Sequence, residues 1–317
     1  MTQQLRLRDR LFHSAPVTLG HRRSWLKRMI KPPPPRLVLF YGSVAIHLAM
    51  AQSMIRVTGL PGDHISLFDN SSSEFTTSVT LPESLRDVAP YAVMITNESD
   101  RGVIAYHIRW TCTDAAGRVT NPDTVIFDFS SFGAKSTLPP GESHLALPGM
   151  RAVPAKRTPA VGFQEEARAN LEYYGHQREI TAAIDAVVFA DGVAAGPDSG
   201  HWIPRWKAHI DAERDTLSLV ADGRSPDPTL QLQAIVDEAR ARARPFFVGG
   251  DVTAERLALI ADSPPTYEDA YVLLRGVVAS NVLRNVNRYG AEEARRRAAA
   301  YLNGRHYPNI HLKGSER

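Results

Sequence analysis

The sequence predicts an α+β protein in which an all-β sandwich is followed by a helical module, and three observations carry that expectation. Over Val103 to Cys112 the side chains alternate in polarity, with Ile104, Tyr106, Ile108, Trp110 and Cys112 on one face and His107, Arg109 and Thr111 on the other. That period of two, rich in β-branched and aromatic residues, is the pattern of a half-buried strand. Short apolar segments divided by turn chemistry then continue to Asp198, and from Ser199 the apolar period becomes helical.

The chain begins with a segment that reads as an address rather than as fold. Of 37 basic and 34 acidic residues, nine basic and one acidic lie in residues 1–51, so the remainder holds 28 against 33 and is acidic. A chain of that sign lacks the positive field that neutralises phosphates, which argues against a nucleic-acid partner. Residues 37–51 form an apolar run that closes on Ala49-Met50-Ala51, a small-x-small site for cleavage before Gln52. The run contains His47 and is shorter than the roughly 20 apolar residues a spanning helix needs, so no permanent membrane span is expected after processing.

Upstream, Arg22, Arg23, Leu26 and Lys27 resemble the bacterial twin-arginine export motif, with His21 and Trp25 departing from its usual residues. Pro32 to Pro35 intervene before the apolar run, and a start at Met29 would leave a compact leader for general secretion. Both routes end in a periplasmic or secreted protein. Under this reading residues 1–51 are the signal peptide, 52–198 the sandwich with an insertion at about 151–179, 199–303 the helical module and 304–317 a polar tail.

Within the sandwich, strands are expected at His64 to Phe68, Phe75 to Leu81, Tyr91 to Thr96, Val103 to Cys112, Thr124 to Phe129, His144 to Leu147 and Ile180 to Phe189. The Ala-rich, charged second half of the insertion suits a short helix. Tyr91 to Thr96, the Asn97 to Gly102 loop and the strand after it resemble the central hairpin of immunoglobulin-like domains in secreted bacterial proteins. The resemblance implies a fold in which those two strands pair across the loop, and it implies no activity. Cys112 is the single cysteine, so the inter-sheet disulfide of antibody-type domains is excluded, as is a cysteine-based metal site. Its apolar face marks it as a buried structural thiol.

After Ser199, Trp202, Trp206, Ile210, Leu217 and Val220 form an apolar helical stripe that Pro204 helps to start and Gly223 and Pro226 end. Further helices are expected at about Thr229 to Arg244, Thr253 to Ala261, Thr266 to Tyr289 and Ala291 to Asn303. Thr266 with Asp269 approximates a capping box, and Gly290 suits a helix C-terminus.

Candidate chemistry centres on Asp185, Asp191 and Asp198, because glycoside cleavage needs two carboxyls several ångströms apart. Asp191 before a turn glycine and Asp198 after Gly196-Pro197 equally suit backbone capping, while Asp185, inside an apolar strand, must face solvent or find a buried partner. Trp202 and Trp206 could stack on a sugar, although their stripe favours packing. The histidines lack compact ligand spacing, with His306 and His311 the one loosely metal-compatible pair, so no metal or cofactor is implied. Arg295 to Arg297 follow Glu292 and Glu293 at spacings that suit surface ion pairs. Nucleophile-elbow, phosphate-loop and dinucleotide motifs are absent from the sequence. The expectation is therefore a non-enzymatic binding or scaffolding module of the bacterial envelope that meets a protein or glycan through strand edges or the Asn97 to Gly102 loop, with a polysaccharide hydrolase as the alternative.

Overall fold

A computed structural model describes residues 55–127, 137–223, 228–244, 266–304 and 307–313. The leader with its Arg22, Arg23, Leu26, Lys27, Ala49 and Ala51, the helix expected at Thr253 to Ala261, Pro226 and His306 lie outside the described residues. The protein is α+β. In chain order the elements are β1 (Ile55–Thr58), β2 (Ile65–Asp69), α1 (Ser73–Ser78), β3 (Val93–Asn97), β4 (Val103–Asp114), β5 (Val119–Thr120), β6 (Thr124–Phe127), β7 (Ser143–Ala146) and β8 (Val153–Pro154). There follow α2 (Val161–Ala169), α3 (Leu171–Gly175), β9 (Gln177–Phe189), β10 (Val193–Ala195), α4 (Trp202–Ala221), α5 (Thr229–Ala243), α6 (Tyr267–Tyr289), α7 (Ala291–Asn303) and β11 (His311–Leu312).

The strands form two sheets. The larger runs β11-β10-β9-β4-β5, with β1 also on β9 and β6 also on β4; the smaller runs β2-β3-β7-β8. One apolar cluster draws from both, including Ile65, Val93 and Ile95 of the smaller sheet and Tyr106, Ile108, Trp110, Ile180 and Phe189 of the larger. Deep inside, the Tyr106 hydroxyl lies 2.8 Å from His144 Nδ1, a polar link between the two sheets. The other face of the smaller sheet is covered by the insertion and by residues 75–92, through Met94, Leu145, Phe75, Leu85, Ala167 and Tyr174. The other face of the larger sheet receives α4, where Ile203, Trp206 and Ile210 meet Ala186 and Val188. Helices α4, α5 and α6 share a further small-residue core of Ala208, Ala212, Ala239, Ala243 and Leu273.

Three expectations are corrected. The strand expected at Phe75 to Leu81 is instead helix α1, because the Ser72 side chain accepts from Phe75 N–H at 3.1 Å and caps it. The expected hairpin of β3 with β4 does not form: β3 lies between β2 and β7, and β4 pairs with β9, β5 and β6. The Asn97 side chain donates to the carbonyls of Arg101 and Leu138 at 2.7 and 3.0 Å, a tight turn that sends the chain from one sheet to the other. The polar tail also has a place in the fold, since residues 307–313 return to the larger sheet as β11 and bury Ile310 against α4.

The β4–β9 ladder shifts register between Val103 and Ala105, between His107 and Ile108 and between Thr113 and Asp114, and the first two bear on the site. Val103 pairs with Phe189 and Ala105 with Val188, so Ile104 is an extra residue and turns to the α4 side. On the facing strand His107 pairs with Ala186 and Ile108 with Ile184, leaving Asp185 as the bulged residue of β9. A bulge re-aims the side chain it carries.

Candidate functional site

The bulge explains how a carboxylate can sit inside an apolar strand. Asp185 is turned out of the inter-sheet core toward the start of α4, where the chain makes a left-handed approach: Gly196 has φ 118°, Asp198 48° and His201 54°. A side chain on Gly196 would run into the Asp185 carbonyl, so glycine is required by space as well as by φ. The freed Asp185 carbonyl accepts from Asp198 N–H at 2.8 Å. Its carboxylate Oδ1 accepts from Ser199 N–H at 3.1 Å and from the Ser199 hydroxyl, and Oδ2 accepts from Gly200 N–H at 3.0 Å. On the other side, Oδ2 lies 3.3 Å from His107 Nδ1.

His107 was expected on the polar, solvent-facing side of β4. It is only 1% exposed, because α4 covers that face and the Trp202 ring packs on the imidazole with centroids 4.5 Å apart. Its Nε2 stands 3.3 Å from Asp123 Oδ1 at an angle that makes no hydrogen bond, so both atoms are buried without a hydrogen-bond partner. Arg109, exposed on the same strand face, donates to the Ser199 hydroxyl at 2.8 Å. One connected set therefore runs from Asp123 through His107 and Asp185 to Ser199 and Arg109.

Its electrostatics divide two neighbouring acids. Burial pushes the Asp185 carboxyl up, but the Ser199 hydroxyl, the Gly200 and Ser199 amides and His107 outweigh burial and hold it below the ordinary carboxylate range. Asp198 moves the other way. Burial raises it, the amides of Ile203 and Trp202 oppose that, and the Asp185 charge adds to the rise. Asp198 Oδ1 accepts from those amides at 3.1 and 2.6 Å and so caps α4.

Of the three aspartates the sequence singled out, the fold brings Asp185 and Asp198 together. Asp191 sits in the turn after β9, where it accepts from Val193 N–H at 3.0 Å and lies 3.4 Å from Arg101 Nη1. The tryptophans make no stacking surface for a sugar: Trp206 is buried at 3% exposure, and Trp202 carries His107 and the Arg205 guanidinium against its ring. Sequence reading missed His107, Asp123, Arg109 and Ser199. The available signal was the requirement that an aspartate within an apolar strand find a buried partner.

Chemically, Ser199 with an acceptor behind it invites comparison with an activated nucleophile, but the order of groups differs. A nucleophile needs a base whose pKa lies near working pH and that is oriented by a third group. Here the acceptor is a carboxylate held low, and the amides nearest the hydroxyl, those of Ser199 and Gly200, donate to that same carboxylate. The arrangement pins the start of α4 to the bulge of β9.

A second constellation lies where β3 crosses to β4. Asn97 and Ser99 point inward at 0% and 8% exposure, joined by bonds of 2.6 and 3.1 Å from the Ser99 hydroxyl and amide to Asn97 Oδ1. Glu98 and Asp100 alternate outward and are exposed, with Glu98 accepting from the Ser66 hydroxyl at 2.6 Å. Arg101 lies over the Phe189 ring at 3.6 Å and within 3.8 and 3.4 Å of Asp63 and Asp191.

Among the described residues no group of three or more His, Cys, Asp or Glu side chains could hold a metal ion, and no helix is long and apolar enough to cross a membrane. No family model, no curated protein and no solved structure matches the chain.

Proposed function

We propose that this chain is an exported protein of the bacterial envelope whose role is to bind a partner protein or glycan, built as an immunoglobulin-like sandwich with an appended helical module. The observation that carries the reading is the Asn97 to Gly102 loop. Asn97 and Ser99 fix it from inside while Glu98 and Asp100 face outward, so its shape is set before any partner arrives. A preorganised loop loses little entropy on binding, which is the condition for useful affinity from a small surface. The exposed carboxylates suit a partner that presents basic or hydrogen-bond-donating groups. Export is supported by the basic, apolar and small-x-small order of residues 1–51. The test is a photocrosslinking residue at position 100, with position 168 on α2 as control, in cells of the host. A discrete adduct at 100 and not at 168 supports the reading, and equal labelling at both sinks it.

One observation favours hydrolysis of an envelope polysaccharide as a second reading. Asp185 and Asp198 are neighbours whose environments push their acidities apart, which is how acid and base roles divide. Hydrolysis of purified envelope polysaccharide that disappears in both Asp185→Asn and Asp198→Asn, with folding retained, would move this reading to the front.

A further inference from the structure

The segment after α7 occupies a groove that has the features of a strand-addition site. Val193 and Ala194 of β10 pair in parallel with His311 and Leu312, and the amides of His311 and Lys313 donate to the Gly192 and Ala194 carbonyls at 3.0 and 2.9 Å. Side chains alternate along the segment: Pro308 and Ile310 are buried and Asn309 is exposed. Ile310 enters the apolar face formed by Ile203, Trp206 and Ile210 of α4 with Ala194 of β10. At one end the Tyr307 hydroxyl donates to Glu213 at 2.8 Å; at the other Lys313 Nζ donates to Asp63 at 2.7 Å and to the Gly62 carbonyl at 3.2 Å. Gly192 is shaped to this occupant, because a side chain there would overlap the Asn309 carbonyl.

Main-chain pairing for affinity, an apolar seat at alternate positions and an ionic end for register are the elements by which sheet edges take up extended peptides. We propose that the edge of β10 and the adjoining face of α4 form a binding groove for an extended strand of a partner protein, and that the chain's own C-terminal segment fills it in the free protein. The occupant defines the chemistry of the partner: an aromatic residue with a hydroxyl, proline, a buried branched apolar residue two positions on, and lysine or arginine three beyond that. A second copy of the chain is the weaker occupant, since it would replace one tail by an identical one and lose the advantage of the tethered segment. Occupancy in cis lowers the apparent affinity for a partner by the fraction of time the groove is open, which makes the tail a regulator of binding. This goes beyond the binding reading above, adding a second surface with a partner of stated form and what holds that partner off.

The test uses the full chain and a fluorescent peptide of residues 307–313, read by polarisation. In Ile310→Asp the tail is unseated and the groove left intact, so the peptide binds at least tenfold more tightly than to the unaltered chain, and a peptide carrying the same substitution does not bind. A folded Ile310→Asp chain that binds no better than the unaltered one overturns the proposal. Should that variant unfold, Lys313→Glu decides, because it breaks only the ionic end: a several-fold gain in peptide binding supports a displaceable tail, and no gain makes the segment an integral part of the core. Formation of tail-exchanged dimers by Ile310→Asp mixed with the unaltered chain, in native mass spectra, would assign the groove to a second copy and also overturn it. The crosslink at position 100 tests the binding reading and the peptide titration tests this one, so either can fail alone.

Discussion

Asp185 shows how one buried charge can organise three elements. Its oxygens hold the Ser199 hydroxyl, two amides and the His107 ring, so truncating it removes four polar contacts at once and leaves the buried His107 Nδ1 without this partner. A hydrogen bond to a charged group contributes about 1.5 to 3 kcal/mol, so losing the set costs more than removing one peripheral hydroxyl, which costs about 1 kcal/mol. Asp185→Ala is thus expected to lower stability several times more than Ser199→Ala in urea unfolding followed by circular dichroism; equal losses would show that the hydroxyl, not the carboxylate, is the anchor. His144 gives the pH dependence. Burial first, then the Arg151 charge, depresses its pKa from 6.5 to about 4, and its nearest polar partner is the Tyr106 hydroxyl, itself pushed well up by burial. The unfolded chain therefore binds the extra proton first as pH falls. Stability from this residue is complete above about pH 6.5 and is lost between there and about pH 4, to a total on the order of 3 kcal/mol. In unfolding curves taken across that window, His144→Gln should flatten the slope; an unchanged slope would place the titrating group elsewhere.

At the scale of elements, what could be read in the sequence was local chemistry, and what could not was set by distant partners. The capping pair Thr266 and Asp269 is present as expected: the Thr266 hydroxyl accepts from Asp269 N–H at 3.1 Å and donates to its carboxylate at 2.8 Å. Thr266→Ala should cost about 1 kcal/mol, measured by chemical denaturation, with Thr266→Ser restoring most of it. The apolar stripe of α4 was legible for the same reason, since its period belongs to the helix alone. The register shifts between β4 and β9 were not. Whether Ile104 faces inward depends on which residue of β9 it meets, and an extra residue in either strand flips every side chain beyond it. His107 keeps the face that alternation gives it and is buried because α4 covers that face, while the bulge at Asp185 aims its carboxylate at Ser199, so neither the burial nor the partner follows from alternation alone. The helix at Ser73–Ser78 was hidden by serines and threonines that serve turns, strands and helix caps alike, and only the capping bond to Phe75 N–H decides among them.

For the whole molecule, the described fold bears on the cleavage proposed before Gln52. The first strand, β1, begins at Ile55 and pairs in parallel with Ile180 to Ala183 of β9, burying Ile55 in the inter-sheet core. Cleavage before Gln52 removes none of that pairing, whereas a cut four residues later would take Ile55, the first paired residue. The cleavage expected from Ala49 and Ala51 is thus compatible with the described sheet. The expected intact mass of the protein recovered from the envelope fraction of its host begins at Gln52. A chain that keeps Met1 or Met29 while remaining in that fraction would make the apolar run 37–51 an anchor, overturning the processed, freely exported form and tethering the groove and loop to the membrane. A cut after Ile55 would instead require the sheet to form without the β1 register, which the parallel pairing with β9 argues against.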